Sequence, residues 1–191
     1  LNMGYSLDDL LESIYANLCG AVPYNRIAVA LLDEDRGILT AITCRSDGEV
    51  FLPPGYAAKI SESTLEELLQ TGQPRIINDL DSYLESKPQS ASTRLIVKEG
   101  MKSSLTLPLV AEGRPIGVVF FSSRQRDSYV EQHTLLLKSL AGHIAISVEK
   151  ARLIAALTDR NQELALANQA KDRFLDTLRE EVERQTEQLR N

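Results

Sequence analysis

The sequence predicts an α+β domain followed by a long helix. Three observations carry this. Short apolar runs bounded by turn residues recur from residue 27 to residue 122, as strands do. Leu7, Leu10, Leu11, Ile14 and Leu18 recur at helical period near the start. No Pro follows Pro115 and no Gly follows Gly142, so nothing breaks a helix over the last part of the chain.

Each element has its own signal. Ser6-Leu7-Asp8-Asp9 has capping-box spacing and opens a helix over roughly residues 6–19, with Gly20 and Pro23 as its stop. Ile27 to Leu32 is a continuous apolar run, suited to a strand covered on both faces. Asp33-Glu34-Asp35-Arg36-Gly37 turns the chain into a second strand, Ile38 to Cys44, completing a hairpin. Pro53-Pro54-Gly55 breaks the chain again. Ser63-Thr64-Leu65-Glu66 is a second capping box, opening a short helix that Gly72 ends. Arg75-Ile76-Ile77 is a short strand. Residues 78–92 are polar, carry Pro88 and have little periodicity, so a lid or binding loop is expected there. Ala91 to Glu99 makes a helical turn closed by Gly100. Ser103 to Val110 and Pro115 to Ser122 are two more strands, joined through Ala111-Glu112-Gly113-Arg114. Ser128-Tyr129-Val130-Glu131 caps the last helix. Some 60 residues of helix would be on the order of 90 Å long, more than a domain of this size can bury.

The chain of 191 residues is 43% hydrophobic and 25% charged, which suffices to pack a core over most of its length. The net charge of -6 argues against a nucleic-acid surface, which needs clustered Lys and Arg. No apolar stretch reaches the roughly 18 residues of a membrane span. Asp8, Asp9 and Glu12 interrupt the early apolar run, which is unlike a signal peptide. Cys19 and Cys44 are too few for a disulfide framework or for a zinc site of their own. A reducing cytoplasm is the expected compartment.

Residues 153–191 read as a coiled coil that leads toward an output domain. Leu153, Leu157, Leu164, Phe174, Leu178, Val182 and Leu189 form the candidate dimerisation stripe. The steps of four from Phe174 through Leu178 to Val182 depart from a strict heptad and mark a stutter.

The order of elements over residues 5–153 resembles a GAF domain, a relative of the PAS fold. Gly100-Met101-Lys102-Ser103-Ser104-Leu105-Thr106-Leu107-Pro108-Leu109, followed by Gly113 and Pro115-Ile116-Gly117-Val118-Val119-Phe120, is similar to the family's central strand pair. Leu140-Ala141-Gly142-His143-Ile144-Ala145-Ile146-Ser147-Val148-Glu149-Lys150-Ala151-Arg152-Leu153 resembles its closing helix. In Pro74-Arg75-Ile76-Ile77-Asn78-Asp79-Leu80, Asp79 falls at the family's usual acidic position. The resemblance implies a GAF/PAS-like antiparallel sheet of five or six strands with flanking helices. It also implies a ligand pocket under loops and dimerisation through the first and last helices. The domain would span residues 1–152.

The chemistry is narrowed by testing residue constellations. His133 and His143 are ten residues apart on one helix, about 15 Å along its axis, so they cannot share an ion. No metal site is expected. Some GAF relatives reduce free methionine sulfoxide with clustered cysteines, whereas Cys19 and Cys44 do not reproduce that pattern. The loop at 78–92 holds neither the Cys nor the His that phytochrome-like relatives use to hold a bilin, so no covalent cofactor is expected and any cofactor is unknown. Ser122-Ser123-Arg124, Tyr129 and Glu131-Gln132-His133 depart from the cyclic-nucleotide motif. A pocket for an unidentified small molecule remains, with Asp79, Tyr83, Arg94, Ser104 and Thr106 as candidate contacts; the alternative is ordinary strand residues and loop caps.

Ala170-Lys171-Asp172-Arg173-Phe174-Leu175 also resembles the lead-in to a sensor histidine kinase's phosphoacceptor helix, but Arg179-Glu180-Glu181 stands where a His should follow. The expectation is therefore a homodimeric, non-enzymatic regulatory module that senses a small molecule and signals through the long helix. The alternatives are a purely structural dimerisation module and, third, a thiol-dependent methionine sulfoxide reductase.

Overall fold

The computed structural model describes residues 3–18 and 20–190, and their side chains except at 3–8, 10, 62 and 188–190. Cys19 thus lies outside the described residues, as does the Leu189 side chain of the dimerisation stripe.

Six strands form one antiparallel sheet. They are β1 (Arg26–Asp33), β2 (Ile38–Ser46), β3 (Ala57–Lys59), β4 (Arg75–Ile77), β5 (Ser103–Ala111) and β6 (Arg114–Ser123), in the order β3-β2-β1-β6-β5-β4. The helices are α1 (Met3–Asn17), α2 (Leu65–Thr71), α3 (Leu80–Ser86), α4 (Ala91–Lys98) and α5 (Glu131–Arg190). This is the expected antiparallel sheet with flanking helices and a long last helix.

Alternation along the strands separates two faces. Ile27, Val29 and Leu31 of β1, Leu105, Leu107 and Leu109 of β5, and Val119 and Phe121 of β6 pack on Leu11 and Ile14 of α1. Leu137, Ala141, Ile144, Ala145 and Val148 of α5 close the same core. The other face carries smaller residues on β1, Ala28 and Ala30, and packs through Ala30, Leu39 and Val118 on Leu68 and Leu69 of α2. Gly117 fits between β1 and β5, opposite Leu31 and Leu109. A Cβ there would lie 2.3 Å from the Ala30 carbonyl oxygen, so this close approach requires Gly.

The polar segment at 78–92 is not one loop. It contains α3 and the start of α4. Asp79 caps α3: its Oδ1 accepts from the Asp81 and Ser82 N–H groups, both at 3.1 Å. Seven residues offer too little period for a helix to be read from the sequence. β3 is a three-residue edge strand, too short for its alternation to be legible in the sequence. Two caps differ from the capping-box expectation. α5 begins at Glu131 and the Ser128 hydroxyl turns instead to the Gln125 carbonyl at 2.8 Å. α2 begins at Leu65 with Thr64 as its N-cap, and the Thr64 hydroxyl makes no cap bond because other partners take it.

The chain divides into two compact units, residues 1–149 and 150–191. No helix among the described residues is long and apolar enough to cross a membrane.

Candidate functional site

The small-residue face of the sheet leaves a cavity of about 100 Å³. Its floor is Ala28, Ala30, Leu39, Ala41, Phe120, Ser104 and Ser122. Its cover comes from Leu52, Tyr56, Thr64, Leu80, Tyr83 and the α4 residues Ser92, Thr93 and Ile96. Alanines at 28, 30 and 41 make the room, since larger side chains there would fill it.

The cover is tied down by a buried ion pair. Arg26 on β1 places Nε 2.7 Å from Glu99 Oε2, and both side chains are almost wholly buried. Arg26 Nη2 donates to the Leu52 carbonyl at 2.9 Å. Glu99 Oε1 accepts from the N–H groups of Phe51 and Leu52, each at 2.8 Å. The pair therefore joins the sheet, the end of α4 and the segment over the cavity. Lys98 Nζ adds a contact 3.9 Å from the Phe51 ring centroid.

A second cation sits on the wall. Arg75 of β4 donates from Nη1 to Thr64 Oγ1, and its guanidinium lies 5.9 Å from the Tyr83 ring centroid. Thr64 Oγ1 and Tyr83 Oη share a hydrogen bond of 2.5 Å. Burial lowers the Arg75 pKa below its ordinary value, and Tyr83 opposes this. The Arg75 Nε is buried without a hydrogen-bond partner, as is Thr106 Oγ1 directly across the strand pair.

The candidate residues part company here. Tyr83 and Ser104 line the cavity. Thr106 is buried on the same sheet face beside Arg75. Asp79 is the α3 cap and lies 3.5 Å from Arg126 Nη1. Arg94 is exposed and donates to the Pro88 carbonyl at 2.6 Å. Arg26, Arg75 and Glu99 are the polar groups that sequence reasoning missed. One signal was available: Ile27-Ala28-Val29-Ala30-Leu31 alternates large and small, which predicts one packed face and one with space.

Elsewhere, Cys44 is partly buried, and burial raises its thiol pKa. His133 Nδ1 accepts from the Val130 N–H at 3.3 Å at the start of α5, while His143 is exposed.

A family model described as GAF domain matches residues 5–149. The chain belongs to the GAF domain family. No functionally curated protein matches the sequence. Among solved structures, the GAF domain of a two-component sensor histidine kinase from Bacillus halodurans is 21% identical. That match covers 78% of this chain and 97% of the other, with a TM-score of 0.64. The GAF domain/HD domain protein from Geobacter sulfurreducens is 20% identical, covering 80% and 99%, with a TM-score of 0.60. A type II free methionine-R-sulfoxide reductase from Thermoplasma acidophilum shares the fold at 13% identity, covering 78% and 96%, with a TM-score of 0.59. The GAF fold of this chain thus occurs in signalling proteins and in an enzyme alike.

Proposed function

We propose that this GAF domain is a regulatory module that binds a small molecule in the cavity under α3 and α4 and signals through α5. The cavity carries the reading, because it combines an apolar floor with convergent polar groups, as ligand sites do. Occupancy would bias the position of a cover that Arg26 and Glu99 tie to the sheet, to an extent set by the ligand's differential affinity for two arrangements. The exposed apolar stripe on residues 153–182 supports a homodimeric coiled coil as the output path.

The module acts by binding and not by catalysis. A thiol enzyme needs an available thiolate, and burial raises the Cys44 thiol pKa, which disfavours the thiolate. The purely structural alternative predicts a cavity that no solute enters. A thermal-shift screen of the whole chain against metabolites and nucleotides decides between them. Sensing predicts a melting point that rises with the concentration of at least one compound. A folded sample unmoved by every compound overturns it.

A further inference from the structure

We propose that the cavity selects a small organic carboxylate, with the Arg75 guanidinium as its counter-ion. The inference rests on the sensing function proposed above and names its ligand class.

Charge on the cavity wall is one-sided. Arg26, Lys59 and Arg75 line it, and no Asp or Glu does among the described residues. Arg26 already has Glu99 behind it. Arg75 lines the cavity with no carboxylate in ion-pair range among the described residues, and its Nη1 donates to the Thr64 hydroxyl. A partly buried cation without an anion bears a desolvation cost that neutral neighbours offset only in part. Guanidinium cannot escape by deprotonation, since it remains charged throughout the physiological range. The stack on Tyr83 and the bond to Thr64 orient the fork but supply no negative charge. A carboxylate or a phosphate is the partner whose geometry matches a guanidinium fork.

The surroundings narrow the anion. Ser104, Ser122 and Thr93 offer hydroxyl donors, while Ala28, Ala41 and Phe120 offer an apolar floor. A short apolar tail on the anion would use that floor, which inorganic phosphate could not. Size is limiting: a cavity of roughly 150 Å³ holds a benzene-sized molecule, and this one is about 100 Å³. The ligand therefore has a carboxylate and a tail of a few carbons.

The test uses the whole chain with propionate and butyrate, each beside its neutral amide, its amine and inorganic phosphate. Binding is read by titration calorimetry and by melting point. The expected result is saturable binding of the acids, with the amides and amines at least tenfold weaker. Arg75→Met should abolish acid binding while its circular dichroism stays native. If that variant does not fold, Arg75→Lys keeps the charge without the fork, and a tenfold loss is expected. Equal binding of acid and amide, or undiminished binding by the folded Arg75 variant, overturns the assignment and leaves sensing intact. Phosphate binding as tightly as the acids overturns the organic part. Silence from all these probes overturns the carboxylate assignment. If the broad metabolite screen is silent as well, sensing itself fails.

Discussion

Arg26 Nε and Glu99 Oε2 lie 2.7 Å apart in the interior, and between them they hold the backbone of Phe51 and Leu52 over the cavity. Two desolvated charges add little net stability as a pair, but removing one strands the other. Glu99→Ala would leave a buried guanidinium and two N–H groups without an acceptor. A loss of about 3–5 kcal/mol is expected in urea denaturation. Arg26→Met/Glu99→Met removes both charges and should lose clearly less than Glu99→Ala alone. Equal losses would mean that the pair is not coupled.

Gly117 tests packing without charge. Its Cβ position meets the backbone of β1, with the Leu31 Cα also only 3.0 Å away. Backbone in the middle of a sheet yields poorly, so Gly117→Ala should cost about 1–3 kcal/mol. An unchanged denaturation midpoint would show that β1 and β6 can separate without penalty.

These two sites show how far the sequence could be read. Gly117 stands in a stretch whose family likeness was visible, and the strands around it follow from apolar runs of ordinary length. The ion pair was not visible. Arg26 and Glu99 lie far apart in the chain, and only the tertiary fold brings them together. Arg75 and Tyr83 are near in the chain, and they meet because α3, which the sequence did not signal, turns Tyr83 back toward β4. Tyr83 and Ser104 could be picked as cavity residues because one is a polar aromatic near a polar segment and the other alternates inward on a strand. Asp79 stands at the family's usual acidic position and borders the polar segment, yet its carboxylate serves a helix end. Local chemistry named the capping residue type but could not say what it caps.

Acid should destabilise the domain through α3. Hydrogen bonds from Ser82 hold the Asp79 carboxyl below its ordinary pKa, with Arg126 adding to this. Bonds from Lys102 and Arg126 do the same for Asp81. Carboxyls with depressed pKa values stabilise the folded state above their unfolded values of about 4, and that contribution is lost as pH falls through the folded values. Melting temperature should therefore fall across this acid range. Asp81→Asn should melt lower than the parent at neutral pH and converge with it in acid. Parallel curves for the two proteins would dismiss the linkage.

Cys44 should react slowly. Burial raises its thiol pKa; Arg26 opposes this, Glu99 adds to it and Arg45 opposes it. In a Cys19→Ser background, an aromatic disulfide reagent at mildly alkaline pH should modify Cys44 far more slowly in the folded protein than in urea. A folded-state rate matching that in urea would reopen thiol chemistry at this position.

The long helix offers the test of assembly. Within unit 150–191, Leu157 is 63% exposed, Leu164 55% and Phe174 63%. Such a row on a polar helix is expected to be covered, since a helix with this composition gains most of its stability from packing its apolar face. Two copies of the stripe would cover each other, with side chains interlocking at spacings of three and four. The full chain should therefore sediment as a dimer. A version ending at Arg152 should dissociate at lower dilution if the stripe contributes to assembly. Leu157→Glu/Leu164→Glu in the full chain should weaken the dimer in the same direction, because each charge would be desolvated at the seam. It should leave the core of residues 1–149 folded, since neither residue belongs to that core. A full chain that remains monomeric at all concentrations would rule out the coiled coil. The stripe variant remaining as tight a dimer as the parent would place the contact elsewhere.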